Sequence, residues 1–423
     1  MEFDLLIRRA RRWGQGLRGQ PAWPEQGIPR GRPDLADLGI RDGRVAAAGD
    51  LCGSRAAVEL DAEGNLVTPG LVDAHMHWDK AFTLSGSAGA SLDQAVTLSP
   101  GGGDDEEALA RRAETLAWLL VSRGTTLART HVTVRSGPGG LLALRTLERV
   151  RRRLAASIEV QLVAFPALSP GPFTPEERHQ VRRLLEEALQ AGADALGGAP
   201  VRTGDPPAFI DEVLEVARSH GASVDLHVDE SDDPRHFCLD YLADRVLALG
   251  YQGKVVAGHC STLSLQELEV RRRVARKVAD AGINVVAMPY TNLFLLGRPG
   301  CGTAGYRGIT AVAELEEAGV NVITASDNIQ DAFCPFGTGD MLDVCRLLGV
   351  AQRAGGRAEV EALPLKATYR AARALGRADG YGVSVGDQAD LVVHSTDDAF
   401  DLVVSCPPRR YVIKAGRLLF PPA

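Results

Sequence analysis

A chain of 423 residues can bury a large core, so one big α/β barrel with an appendage and two to three ordinary domains both fit its length. Its 47 basic and 54 acidic residues give a net charge of -7 with no dense basic stripe, which argues against a nucleic-acid partner, and the clusters RRARRW and RRR at 151–153 read as solvated faces. Seven cysteines without a C-x-x-C pair encode neither a disulfide framework nor a zinc ribbon, and no apolar run approaches the roughly 20 residues of a membrane span, so the expectation is a soluble protein of the reducing cytoplasm.

In chain order, residues 1–65 read as short strands and turns (FDLLIRRA, LGIRDGRVAAAG, AVELDAEGN). Between 66 and 378, short β-branched runs alternate with longer segments of helical period. Eight such runs occur: LVTPGLVDAH, TLARTHV, IEVQLVAF, ADALGGA, SVDLHV, KVVAGHC, INVVAM and NVITASD. Helix starts are marked by Thr174, Pro175 and Glu177, an N-cap, a first-turn proline and a capping-box glutamate, and Ser264 with Glu267 predicts a second box. Glycines close several helices, as in LQAGAD, ADAGIN and EEAGVN. Eight strand-then-helix units predict a (β/α)8 TIM barrel. Residues 379–423 return to short strands, DLVVHS and RYVIKAGRLL, and the two terminal stretches are expected to pair into one small β-sandwich domain.

Functional groups of such a barrel sit at the C-terminal ends of its strands. In VDAHMHWDKAF (72–82), alternation along a strand turns His75 and His77 to the same side. Strand five ends at His227, strand six at His259 and strand eight at Asp327, so four strands aim nitrogen and carboxylate groups at one mouth. Such a set suits one divalent ion, Zn(II) or Fe(II). A tight two-metal site wants a bridging ligand near strand four, and ADALGGAPV holds no lysine, glutamate or cysteine. Asp327 is expected across the barrel from the strand-one histidines, Cys260 and Cys334 are expected to pack, and the H-x-E with P-C-x-x-C of cytidine-type deaminases is absent.

In combination, LVTPGLVDAHMHWDK, RTHV, QLVAFP, LHVDESDDP, AGHCS, PYTNLFLLGR with RGIT, SDNIQDAFCPFGTGDML and VGDQADLVV resemble the amidohydrolase superfamily, in its cytosine-deaminase-like branch. The resemblance implies that His75, His77, His227 and Asp327 bind the metal, that His259 orients the attacking water and that Glu230 shuttles protons. Two positions depart from cytosine deaminases: Ala167 stands where they carry a ring-holding glutamine, and Asn328 where they carry a second aspartate. SDNIQDAFCPFGTGDM is closer to the N-isopropylammelide amidohydrolase type, which lacks the glutamate of HVDE.

The expected activity is hydrolytic deamination of a small aminated heterocycle other than cytosine. The alternatives are hydrolysis of an N-alkylamino heterocycle or cyclic amide, and a catalytically inactive barrel scaffold. Candidate substrate contacts are Phe333 as a stacking ring, Asn328, His131, Trp78 as a wall residue, and the space at Ala167. Asp79 and Lys80 fit a substrate contact or a rim ion pair equally. The resemblance also implies a homo-oligomer.

Overall fold

The computed structural model describes residues 1–14, 17, 32–89, 91–99, 105–168, 171–297 and 307–421. Five strands open the chain: β1 (Glu2–Arg12), β2 (Leu35–Arg41), β3 (Arg44–Gly49), β4 (Arg55–Asp61) and β5 (Leu66–Pro69). Eight more follow, with helices between them. They are β6 (Leu71–Met76), β7 (Thr125–Val134), β8 (Glu159–Pro166), β9 (Ala195–Gly198), β10 (Ser223–Val228), β11 (Val255–His259), β12 (Asn284–Ala287) and β13 (Val322–Thr324). The chain ends with β14 (Leu391–His394), β15 (Arg409–Lys414) and β16 (Arg417–Phe420).

Strands β6 to β13 lie side by side in sequence order, each neighbouring pair parallel, as β/α crossovers require. A parallel bridge between Met76 and Asp327, with Asp327 N–H donating to the His75 carbonyl at 2.9 Å, joins the last strand to the first and closes the barrel. Closure corrects the expected position of Asp327: it lies beside the strand-one histidines, not across from them. The floor of the barrel is apolar, with Val72, Leu127, Val256, Val286 and Ile323 packed against Ala371 and Leu375.

Both ends of the chain meet in one continuous mixed sheet, in the order β16-β15-β14-β5-β1-β2-β3, with β4 parallel to β1. Leu5, Ile7, Ile40, Val67, Val393 and Ile413 form its core. The run LVTPGLVDAH is therefore two strands, because β5 pairs with β1 and β14 in this sheet and only β6 enters the barrel. Gly70 marks the passage between them, where a Cβ would collide with the Thr126 side chain.

Helix signals fare unevenly. Thr174 Oγ1 accepts the Glu177 N–H and Glu177 returns a carboxylate to the Thr174 N–H at 2.8 Å, so the capping box forms as read. Ser264 forms no box; it sits in a short turn (Ser261–Leu265) and donates to the Ile309 carbonyl, while Glu267 itself caps the helix Leu268–Asp280 without a side-chain bond. Among the described residues no helix is long and apolar enough to cross a membrane.

Candidate metal centre and active site

The ends of β6, β10 and β13 bring three imidazoles and a carboxylate together. His227 Nε2 lies 3.2 Å from His75 Nε2 and 3.1 Å from His77 Nε2, and Asp327 Oδ1 lies 3.4 Å from His77 Nε2. All four side chains are buried, and their ligand atoms fall within 4.8 Å of one another. Burial pushes the His77 and His227 imidazoles well below their ordinary range, so both are neutral and offer a lone pair. Both Asp327 oxygens lack a hydrogen-bond partner among the described residues. Three imidazole nitrogens converging beside a carboxylate whose oxygens lack hydrogen-bond partners fit a divalent cation.

Beneath the ligands sits a second layer. Asp225 Oδ1 is 3.7 Å from His75 Nδ1 and 3.3 Å from His131 Nε2, while Arg129 donates to Asp225 Oδ2 at 3.0 Å and to Gln161 Oε1 at 3.0 Å. The His131 ring stacks on His75 with centroids 3.9 Å apart. Burial raises the Asp225 carboxyl, but His131, His75 and Arg129 outweigh it and hold the group ionised, well below the usual carboxylate range. Gly258 on β11 lets His75 approach closely, since a Cβ there would press on its ring.

His259 Nδ1 lies 3.0 Å from the Asn292 amide nitrogen, which leaves the ring proton on Nε2, 3.5 Å from Glu230 Oε2. Burial pushes the His259 imidazole down to about 3, and burial with the nearby Asp327 charge raises the Glu230 carboxyl well above its usual value. Asp229 accepts the N–H groups of Cys238 at 2.7 Å and Leu239 at 3.0 Å, which fixes the bend that carries the chain from His227 to Glu230. Asp229, His259 and Asp327 all take positive φ (55°, 65° and 60°), so the backbone turns sharply at three of the strand ends that form the mouth.

Over the ligands lies a cavity of about 180 Å³, lined by His77, His227, Glu230, His259 and Asp327 on its polar side. Phe333, Asn328 and Ala167 also line it. Asn328 donates to Asp331 Oδ2 at 2.6 Å, and Asp331 Oδ1 accepts the Phe333 N–H at 2.8 Å, so the two residues are held as one unit.

Two expected contacts are corrected. Trp78 does not reach the cavity: with His75 and His77 turned inward, Met76 and Trp78 face the helices, and the buried indole donates to Met76 Sδ at 3.3 Å. His131 is also off the cavity, since it points at the back of His75. Asp79 and Lys80 form the ion pair, at 3.6 Å, with Asp79 buried and accepting the Thr133 N–H at 3.0 Å; Lys80 also lines the cavity. Cys260 and Cys334 are buried thiols whose pKa burial raises, Cys334 to about 12, as packing residues should behave.

Sequence reasoning missed Asp225, Asn292, Phe165, Arg135 and Arg202. Asp225 had a signal, because D-x-H in SVDLHV puts it on the inward face with His227. Phe165 lies edge-on to His227, with centroids 4.7 Å apart. The helix α1 (Leu92–Leu98) covers part of the cavity with Leu92 and Val96, and Arg202 pairs with its Asp93.

Known proteins resemble this chain over most of its length. A pterin deaminase of Rhizobium rhizogenes is 30% identical over 397 residues, 91% of this chain and 87% of the relative. The N-isopropylammelide isopropyl amidohydrolase of Pseudomonas sp. is 29% identical across 99% of this chain and 97% of its own length. The crystal structure of 5-methylcytosine deaminase from Klebsiella pneumoniae, liganded with 5-fluorocytosine, superposes with a TM-score of 0.84 at 27% identity, covering 98% of this chain and 97% of that one. The sequence profile of the amidohydrolase family matches residues 104–420. With three quarters of its length inside that match, this chain belongs to the amidohydrolase family.

Proposed function

We propose that the chain is a metal-dependent deaminase of a small aminated heterocycle other than cytosine, holding one Zn(II) or Fe(II) and working in the cytoplasm. The observation that carries this reading is the convergence of His75, His77, His227 and Asp327 on one point at the floor of a cavity that Glu230 and His259 also face. A bound divalent cation supplies Lewis acidity that lowers the pKa of water from near 15.7 to about 7. Asp327, with both oxygens otherwise unpartnered, takes the proton that water gives up. Glu230, whose carboxyl holds its proton more tightly because of burial, delivers a proton from its carboxyl oxygen to a ring nitrogen and makes the neighbouring carbon electrophilic. His259 Nε2–H, oriented by Asn292, donates to the attacking oxygen. Water enters, the amine leaves as ammonia, and an oxo group remains on the ring. Phe165 and Phe333 supply flat apolar walls for such a ring.

Ala167 supports excluding cytosine, because a pyrimidine amide edge left unpaired in this cavity would cost about 1 to 3 kcal/mol. The likeness to N-isopropylammelide isopropyl amidohydrolase across nearly the whole chain supports a second reading, release of an alkylamine from the same kind of ring. The discriminating experiment identifies the amine released by metal-loaded protein from isocytosine, creatinine, aminotriazines, their N-alkyl derivatives and pterins. Ammonia from one ring, lost on chelation, supports deamination; alkylamine supports the second reading; a ring-opened acid from a cyclic amide would overturn both.

A further inference from the structure

Arg135 stands immediately past the end of β7, lines the cavity and is half-buried, yet its guanidinium makes no hydrogen bond or ion pair with any other described residue. Arg202, past the end of β9, lines the same cavity at 21% exposure, and its carboxylate partner Asp93 is 84% exposed on α1. An ion pair so open to water holds weakly. The strand between these two, β8, leads into Ala167, whose small side chain leaves the space between them open. Of the three basic lining residues, Lys80 is paired with the buried Asp79 and Arg202 with the exposed Asp93, whereas Arg135 has no carboxylate partner among the described residues. On this side of the cavity the Arg135 guanidinium is therefore the charge that the described residues leave unpaired, with Arg202 held only by a solvent-exposed partner.

A planar guanidinium matches a carboxylate through two parallel hydrogen bonds, which a neutral amide edge cannot reproduce. We propose that the heterocycle taken by this site carries a carboxylate on the edge facing the ends of β7 to β9, bound by Arg135 with Arg202 closing from the other side. This inference rests on the deaminase reading and deepens it: the two arginines replace the missing glutamine with recognition of an acid.

The test compares matched ring carboxylic acids and their methyl esters, built on isocytosine and on pterin, as substrates for ammonia release. The unaltered protein should favour the acid over the ester by at least about 10-fold in kcat/KM, and Arg135→Met should lower that ratio by about 10- to 100-fold, with Arg135→Lys intermediate. Equal turnover of acid and ester by the unaltered protein, or an equal loss on both in R135M with metal content unchanged, would overturn the carboxylate assignment and leave deamination standing. Should no ring release ammonia, the deaminase reading falls, and calorimetric binding of the same acids and esters decides the arginine assignment separately. Tighter binding of the acid that R135M abolishes would uphold it, and indifference to the charge would overturn it.

Discussion

His75 presents Nε2 to the other imidazoles and Nδ1 to Asp225, and that division of labour depends on which nitrogen carries the proton. An ionised Asp225, held by Arg129, keeps the proton on Nδ1 and the lone pair on Nε2. Asp225→Asn should therefore weaken metal affinity by about 10- to 100-fold, read by competition with a chromophoric chelator, while an unchanged affinity would deny it this role. Glu230→Gln removes the transferable proton but keeps the shape, so kcat should fall by about 10²- to 10⁴-fold with the metal retained. At this scale the sequence was readable where a side chain touches the point of chemistry. H-x-H, H-x-x-E and the final aspartate could each be assigned to a strand end. Residues that act from behind, such as Asn292 on His259, left no local pattern, because their contact joins positions 33 apart on different elements. Trp78 was misread for a related reason: its place in a motif says nothing of the face it takes, and alternation from His77 turns it to the helices.

At the scale of elements, the alternation of β-branched runs and helical period suffices for the barrel, because each signal is local and is repeated eight times in the strands β6 to β13. Where a strand ends is decided by partners far along the chain. β5 and β6 read as one run because only the pairing of Val67 with Val393 shows that β5 belongs to the other sheet. Gly70, the hinge between them, yields a direct test. Gly70→Val drives side-chain atoms into Thr126 and should destabilise the protein by about 1 to 3 kcal/mol in denaturant unfolding; a neutral effect would show that the passage has room to spare. The position of Asp327 was lost in the same way, since barrel closure is invisible to periodicity.

For the whole molecule, the terminal sheet and the barrel are one construction. β5 runs straight into the strand that carries His75, and the Arg409 guanidinium on β15 donates to the Arg123 carbonyl at 2.9 Å and pairs with Asp340. His394 lies at this seam, with Nε2 2.9 Å from Thr68 Oγ1, and burial with the nearby Arg409 charge pushes its imidazole well below the ordinary range. The unfolded chain takes up that proton near pH 6.5 and the folded one only at lower pH, so stability is fully present above about 6.5 and is lost as pH falls below it. His394→Gln should flatten that acid limb in thermal unfolding of metal-loaded protein, and an unaltered limb would place the titration elsewhere.

Metal content set against activity tests the central claim most directly. Purified protein and His227→Ala are each dialysed against Zn(II) or Fe(II), and bound metal per chain is measured beside amine release from the active ring. One ion per chain in the unaltered protein, activity that chelation removes and metal restores, and loss of both in a still-folded H227A are the results expected. Amine release that persists in metal-free protein or in H227A would contradict the assignment of His75, His77, His227 and Asp327 as the metal centre.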